Sequence, residues 1–244
     1  MVKLGHARIA DNGKVSGGQK GDQTGKEVAI TDYYSKPWKL LLRPKSSDIA
    51  ERSAKACEDG CKNDKIGYSQ ENRNTAHTQA QKVGYDLSKI NVSCETDCSA
   101  FMTLCAIAAG VKGLEYVGNA PTTSTMRNAF LKTGEYDLLM EVKYLTSSDY
   151  LKRGDILVSP GSHTAMVLNN GKNAQEKKQT VKVSYAIQLK SALNARKGAG
   201  KEYDKVFTFP KGMVLAICEE CDGWGRITDI DAWISLNPQY VSKG

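Results

Sequence analysis

The sequence predicts an α+β domain followed by a small all-β domain. Segments of helical periodicity come first, between about residues 46 and 134, and short apolar runs bounded by Gly, Pro or Asn-Gly follow them. Helices followed by strands favour an α+β domain with an antiparallel sheet. A polar stretch without periodicity then separates these strands from a further set of strand-like segments. The predicted organisation is a first domain over residues 1–170, a linker over 171–180 and a second domain over 181–244.

The first 44 residues predict turns and one extended segment. Gly and polar residues dominate as far as about residue 26, and an extended segment around Lys39–Arg43 ends at Pro44. Four helices are then predicted, because each segment has apolar residues at helical spacing and a capping residue or a terminal Gly. Their approximate ranges are 46–63, 69–84, 97–110 and 123–132.

The strand predictions rest on apolar runs with turn residues at both ends. In the first domain these runs are "YDLLMEVKYL", "GDILVSPG" and "HTAMVLNNGK". The second domain has about sixty residues of short strands with Gly-rich turns and two tryptophans, Trp224 and Trp233. That spacing is typical of a small SH3-like barrel, so we expect a closed all-β fold there.

Composition and charge exclude several functional classes. The 244 residues carry a net charge of +7 without any basic arm, so we expect a solvated surface and no nucleic-acid partner. No apolar run approaches membrane-spanning length, so no membrane insertion is expected. The first residues lack an apolar stretch of signal-peptide length. Seven cysteines, an odd number, then predict reduced thiols rather than a disulfide framework.

Two pairs of cysteines leave a metal or redox site open as an alternative. Cys57 and Cys61 are four residues apart, and so are Cys94 and Cys98. Structural zinc usually sits on tight two-residue knuckles, whereas these pairs fall on or beside helices. Core cysteines are therefore the preferred interpretation, and we expect no metal and no cofactor. The spacing of "CEEC" at 218–221 fits a hairpin turn in the second domain.

Cys98 is the candidate nucleophile. It lies at the predicted start of the third helix, where Thr96 or Asp97 can cap the helix. Amide N–H groups and the helix dipole at that end favour a negative charge, so we expect a lowered thiol pKa. Cys105 falls on the apolar face of the same helix and is expected to be inert, and Cys94 has no assigned role.

His163 is the candidate base. It begins the apolar run "HTAMVL", and a cysteine on a helix with a histidine on a strand suits papain-like catalysis through a thiolate–imidazolium pair. The chain has only two other histidines. His77 falls among polar helical residues, and His6 lies in the N-terminal segment that is predicted to form turns.

These residues resemble a known family. "TDCSAFM" and "KRGDILVSPGSHTAMVL" resemble the NlpC-type cell-wall cysteine peptidases and the related CHAP amidohydrolases, and the N-terminal segment looks like a subgroup found in phage lysins. Residues 180–244 resemble the bacterial SH3-type domain. The resemblance implies a papain-like catalytic domain and a wall-binding domain in which Trp224 and Trp233 contact the wall.

The resemblance also implies roles for residues of the first domain. Cys98 matches the nucleophile and His163 the general base, and Asp97 and Ser99 flank the nucleophile as substrate-binding residues. Ala100 stands where the family usually has Gly. The oxyanion hole is expected to include the backbone N–H of Cys98.

The third catalytic residue is open at this point. In the family it usually comes from the strand after the histidine strand, but here that region is the linker-like "NNGKNAQEKKQT". The candidates are Asn169, Gln23 and Asp22. Gln23 could also serve as an oxyanion donor, although a turn residue is the simpler interpretation. Trp38 could line a substrate groove or anchor the N-terminal segment in the core.

The expected function is hydrolysis of an amide in bacterial peptidoglycan, the expected partner, by a phage endolysin. A stem-peptide endopeptidase is favoured, with an N-acetylmuramoyl-L-alanine amidase as the alternative. A non-catalytic wall-binding or phage structural protein is the alternative from another class. We expect synthesis in the cytoplasm without a signal peptide and action on the wall after release through a holin-type pore.

Overall fold

A computed structural model describes residues 1–114, 119–174, 181–228 and 230–243. The chain divides into two compact units, Met1–Gln175 and Glu176–Gly244. The first contains helices and sheets, which confirms a mixed α and β fold, and the second contains strands. Most of the predicted linker lies outside the described residues. In the described ranges, no helix has the length and apolar character needed to span a membrane.

The first unit is built on a six-stranded sheet in which every neighbouring pair is antiparallel. Its strand order is β2-β1-β8-β7-β3-β6, and β4 and β5 form a separate parallel pair. The strands are β1 (Lys3–Ala7), β2 (Val28–Asp32), β3 (Leu40–Pro44), β4 (Ile66–Tyr68), β5 (Cys94–Thr96), β6 (Tyr136–Leu139), β7 (Ile156–Ser159) and β8 (His163–Val167). The helices are α1 (Ser47–Cys61), α2 (Thr75–Lys82), α3 (Cys98–Ala108), α4 (Met126–Lys132) and α5 (Val142–Leu145), with a 3₁₀ turn at Leu87–Lys89.

Local capping signals place two of the helices. Ser46 caps α1 by accepting a hydrogen bond from the N–H of Ile49, and Asp97 caps α3 through the N–H of Ala100 at 2.7 Å. The second helix begins six residues later than predicted, at Thr75, and the run "YDLLMEVKYL" forms a strand followed by a helical turn. In both segments, part of the predicted helix or strand forms a turn instead.

The N-terminal segment contains strands where turns were predicted. β1 pairs with β2 on one side and with β8 on the other, so it lies inside the sheet. Its backbone is packed so closely against α1 that a Cβ atom on Gly5 would lie 2.5 Å from the Cys57 sulfur. Only glycine fits this contact. The strand β8, which holds β1 in place, is some 160 residues away in the sequence.

Both faces of the sheet are covered. The larger core lies under α1 and α3 and includes Phe101, Leu104 and Phe130, all fully buried. The smaller core covers the opposite face and includes Leu4, Trp38 and Leu157. Helix α3 is buried from Cys98 to Ala106, so its first residue is fixed by packing as well as by its cap.

The second unit is one seven-stranded antiparallel sheet around its own core. The strands are β9 (Val181–Leu189), β10 (Leu193–Arg196), β11 (Lys205–Phe209), β12 (Val214–Cys221), β13 (Trp224–Ile227), β14 (Trp233–Ser235) and β15 (Val241–Lys243). Their order is β11-β10-β14-β13-β12-β9-β15. Within the described residues β11 and β15 do not pair, so the predicted closure into an SH3-like barrel is not confirmed.

Candidate active site

Cys98 is the first residue of α3 and lies against the strand that His163 begins. Its side chain is nearly enclosed, with 6% of the residue exposed. The backbone N–H groups of Thr164 and Ser99 hydrogen-bond the sulfur and lower the pKa of the thiol. The sequence prediction of a cysteine at a helix N-terminus beside the His163 strand therefore agrees with the structure.

The pKa of Cys98 differs from the sequence expectation. Burial, followed by the charge of the adjacent Asp97, raises the pKa of this thiol to about 11. The two backbone N–H groups and the Arg73 charge act in the opposite direction but do not compensate. Desolvation outweighs the helix dipole because the sulfur is enclosed by protein and not by water. At neutral pH Cys98 is therefore a neutral thiol in the free protein.

Arg73 holds the start of α3 in place, and sequence analysis did not identify it. Its Nε lies 2.6 Å from Oδ2 of Asp97, and its Nη2 lies 3.1 Å from Oδ1 of the same carboxylate. Nη2 also donates to the Ser99 hydroxyl at 2.9 Å. Asp97 and Ser99, the expected substrate-binding residues, are thus buried and engaged with Arg73. The hydrogen bonds of these two residues to Arg73 hold the start of α3 in place.

The same guanidinium reaches a neighbouring loop. Its Nη1 donates to the side-chain oxygen of Asn119 at 2.9 Å and to the carbonyl of Ala120 at 2.6 Å, and its Nη2 donates to the carbonyl of Pro121 at 3.0 Å. A planar guanidinium can satisfy a carboxylate and several carbonyls at once, which an ammonium group cannot do in the same geometry. Arg73 therefore links this loop to the start of α3.

His163 is hydrogen-bonded to His6. The Nε2 atom of His163 lies 2.8 Å from Nδ1 of His6, and Nε2 of His6 lies 3.1 Å from the hydroxyl of Thr31. The three residues come from β8, β1 and β2, which are neighbours in the sheet. The hydrogen-bond partner of His163 is therefore a histidine from the first strand, β1.

Both histidines are held neutral. Burial lowers the pKa of His163 to about 4 and that of His6 to about 3. The charge of His163 lowers the pKa of His6 further, and the charges of Lys36 and Arg8 lower the pKa of both histidines. With the Cys98 thiol and both imidazoles neutral, the expected thiolate–imidazolium pair is not present at rest.

Aromatic side chains support the histidine pair. Trp38, only 4% exposed, stacks on His163 with the ring centroids 6.3 Å apart and the planes at 29°. Tyr34 packs on Trp38, and its hydroxyl lies 3.4 Å from Nδ1 of His6. Of the two interpretations of Trp38, the structure favours a core anchor over an exposed groove residue.

None of the three candidates for the third catalytic residue contacts His163. The side chain of Asn169 bonds the backbone of Lys3 and Met1, and the Gln23 amide donates to the carbonyls of Lys20 and Gly21. The Asp22 carboxylate accepts the backbone N–H groups of residues 24 and 26–28. These residues stabilise turns and strand ends. The sequence did contain a signal for the strand that carries His6. In "VKLGHA", Val2 and Leu4 alternate with residues of the opposite face, as in a β-strand.

An open cavity of about 340 Å³ lies beside the histidine pair. Its lining combines both histidines with two cations, one aromatic and one aliphatic side chain. The lining residues are His6, Arg8, Ile9, Tyr34, Lys36 and His163.

The sequence from β1 to the end of the first unit matches one known family. The model of the endolysin-like domain matches residues 4–174, which is more than half of the chain. The chain belongs to the endolysin-like domain family. No curated relative and no solved structure matches it. The endolysin-like domain contains His6, Cys98 and His163 and therefore the whole candidate site.

The remaining cysteines of the endolysin-like domain are core residues. Cys57 contacts both Cys61 and Cys105. Burial, followed by the Cys105 contact, raises the pKa of Cys57 well above the usual range, and the Cys57 contact, followed by burial, does the same for Cys61. Cys94 donates to the carbonyl of Lys65 at 3.4 Å, and burial raises its pKa to about 12. In the described part of the chain, no three His, Cys, Asp or Glu side chains are grouped as a metal site would require.

Outside the endolysin-like domain, the second unit has a groove of about 590 Å³. Trp224 lines it together with polar residues, among them Asn237 and Ser235. Trp233, the other predicted wall-contacting residue, is half-buried and does not line the groove. The structure thus separates the two tryptophans that the sequence grouped together.

Proposed function

We propose that the chain is a peptidoglycan hydrolase that cleaves an amide of the bacterial cell wall. Cys98 is the nucleophile, His163 is the general base and acid, and His6 orients His163. The observation that carries this proposal is the 2.8 Å hydrogen bond between His6 on β1 and His163 on β8, the strand whose Thr164 N–H contacts the sulfur of the buried Cys98. Membership in the endolysin-like family supports a lytic, phage-derived role at the wall.

The hydrogen bonds of the histidine pair are consistent with one arrangement of protons. If His6 carries its proton on Nε2, it donates to the Thr31 hydroxyl, and its Nδ1 is free to accept from Nε2–H of His163. His163 then has an unprotonated Nδ1, which is the atom that a general base needs. His6 thus selects the tautomer in which His163 can accept the thiol proton.

The reaction then follows from the neutral resting state. His163 Nδ1 accepts the proton of the Cys98 thiol as the sulfur attacks the amide carbonyl and forms a tetrahedral intermediate. The imidazolium gives this proton to the leaving amine, the C–N bond breaks and a thioester remains. His163 next takes a proton from water, whose oxygen attacks the thioester and releases the carboxylic acid and the Cys98 thiol.

Donors for the oxyanion of the tetrahedral intermediate are available near the sulfur. Besides the backbone N–H of Cys98, the hydroxyls of Tyr34 and Tyr68 lie close enough that a charge on Cys98 raises their pKa, and with burial both values reach about 12. Both hydroxyls are therefore protonated at neutral pH and able to donate. Gln23 is not available for this role, because its amide is bonded within its own turn.

Within this function a stem-peptide endopeptidase is the first choice and an N-acetylmuramoyl-L-alanine amidase the second. The motif around Cys98 and His163, which resembles the NlpC-type peptidases, supports the first. Mass spectrometry of digested walls separates the two. An endopeptidase creates a new amino terminus inside the stem, whereas an amidase releases whole stems from the glycan.

The second unit is proposed to bind the wall, as a bacterial SH3-type domain would. Its groove presents one aromatic face, Trp224, among hydrogen-bonding groups, which suits a sugar or peptide of the wall. A wall-bound second unit raises the effective concentration of the active site at the polymer.

Clearing of purified cell-wall suspensions tests the proposal directly. Wild-type protein is expected to reduce turbidity, and Cys98→Ser and His163→Ala are expected to abolish the effect while still sedimenting with walls. Clearing that persists in Cys98→Ser would sink the cysteine mechanism. Binding without any clearing by the wild type would favour the alternative of a non-catalytic wall-binding or phage structural protein.

A further inference from the structure

Two cations without an acidic partner lie beside the histidine pair. Arg8 is exposed, Lys36 is half-buried, and both line the cavity that contains His6 and His163. Within the described ranges, neither forms an ion pair, and the cavity lining includes no carboxylate. Asp97 is the acidic group whose charge acts on His163, and it is already paired with Arg73.

These two cations work against general-base catalysis by His163. A general base works best when its pKa lies close to the working pH, but the charges of Arg8 and Lys36 lower the pKa of both histidines. An anion that binds between these two cations and the histidines would offset their effect on the imidazoles. The cavity is open and large enough for a carboxylate and the short chain that carries it.

We propose that Arg8 and Lys36 form an anion subsite that binds a free carboxylate of the stem peptide beside the scissile amide. The inference rests on the proposed function and deepens it, because it names the substrate class. A guanidinium binds a carboxylate through two parallel hydrogen bonds, and a nearby ammonium adds a third charged contact. A carboxamide at the same place offers one acceptor and no charge, so the subsite discriminates between free and amidated stems.

Binding at this subsite also strengthens the base. The charged and titratable groups that act on His163 are Lys36, Arg8, Asp97 and its partner His6. A bound carboxylate compensates the two cations, so the pKa of His163 rises toward its ordinary value when the substrate is in place. Proton transfer from Cys98 then becomes easier with the correct substrate than with an amidated one.

The experiment compares two muropeptides that differ only in one group, a free carboxyl or a carboxamide next to the cleaved bond. We expect wild-type protein to show a kcat/KM about 10- to 100-fold higher for the free acid, the range expected for hydrogen bonds to a charged group. The double variant R8Q/K36Q is expected to lose this preference, mainly through KM. Lys14→Gln, which removes an exposed charge outside the cavity, is expected to keep it.

A second readout does not depend on turnover. In a Cys98→Ala background, NMR titration of the imidazole protons is expected to show higher histidine pKa values in R8Q/K36Q than in the parent. Addition of the free-acid muropeptide, but not of the amidated one, is expected to raise the pKa of His163 in the parent.

The possible outcomes separate the subsite from the proposed function. Hydrolysis of both muropeptides at the same rate by wild-type protein would overturn the subsite and leave the proposed function intact. Hydrolysis of neither would overturn the proposed function and the subsite with it. The wild-type comparison needs no variant, so it remains decisive if R8Q/K36Q does not fold.

Discussion

The Nδ1 atom of His6 lies 2.8 Å from the Nε2 atom of His163, although 157 positions separate the two residues in the chain. Adjacent strands carry them, and Thr31 on the next strand continues the chain of hydrogen bonds. This hydrogen bond fixes the orientation of the His163 ring, and it leads to predictions about activity and stability.

His6→Ala is expected to lower kcat by about 10²-fold or more with little change in KM, because His163 loses the group that fixes its tautomer. His6→Asn is expected to recover part of this rate, because its side-chain oxygen can accept from Nε2–H. Steady-state hydrolysis of a muropeptide measures both effects. His77→Ala, on α2, is the matched control, and an equal loss in that variant would argue against a specific role for His6.

Alkylation of Cys98 by iodoacetamide is expected to be slow at neutral pH and to rise about tenfold per pH unit up to pH 10. Only the thiolate reacts, and the pKa of about 11 keeps its fraction small below that range. Peptide mapping by mass spectrometry reports residue 98 separately from the other cysteines. A rate that stays flat from pH 5 to 9 would instead indicate a preformed thiolate–imidazolium pair.

Acid is expected to destabilise the first unit through its buried histidines. Below about pH 6.5, His6 and His163 become protonated in the unfolded chain. In the folded protein they remain neutral until the pH reaches their pKa values of about 3 and about 4. Stability is therefore present above pH 6.5 and is lost as the pH falls, by at most about 1.4 kcal/mol per pH unit for each histidine. Urea unfolding at pH 7 and pH 5 measures this loss. His6→Gln should lose less than the wild type, and an identical loss would contradict the assignment.

Arg73→Ala is expected to destabilise the protein by about 3–5 kcal/mol, because it leaves the buried Asp97 carboxylate without its partner. Arg52→Ala is the matched control. Arg52 pairs with Asp48 on the exposed side of α1, and its loss is expected to cost less than about 1 kcal/mol. Urea denaturation compares the two, and equal losses would show that the Arg73 network contributes no more than a surface ion pair.

Trp224→Ala is expected to reduce the fraction of protein that sediments with purified walls. The hydrolysis of a small muropeptide is expected to stay at the wild-type rate, because the proposed catalytic residues belong to the first unit. Phe207→Ala removes another aromatic ring, 50% exposed, that does not line the groove and serves as the control. If both variants bind walls equally well, the groove around Trp224 is not the binding site.

Local signals were sufficient to place Cys98 at the start of its helix. Asp97 as a cap, the apolar spacing behind it and Gly110 at the end are all short-range features, and α3 begins where they predict. The pKa of Cys98 could not be obtained in this way. It depends on how completely other segments enclose the sulfur, and a helix-dipole argument does not include that burial.

The contact between His6 and His163 was not predicted, because it depends on which strand lies beside β8 in the sheet. The strand expected to follow β8 was sought in the residues after Val167, whereas β1 occupies the position beside β8 in the sheet. Sheet order is a property of long-range pairing, and periodicity in a window does not report it. The same limit applies to the second unit, where short strands were predicted but their closure into a barrel is not confirmed.

The central position of β1 also affects when the active site can form during synthesis. The strand is translated some 160 residues before its partner β8, which is complete only after residue 167 has been made. Until then Gly5 and His6 have no sheet to join on that side, and the histidine pair does not exist. The endolysin-like domain therefore acquires its proposed chemistry in one late step, after nearly all of its sequence has been translated.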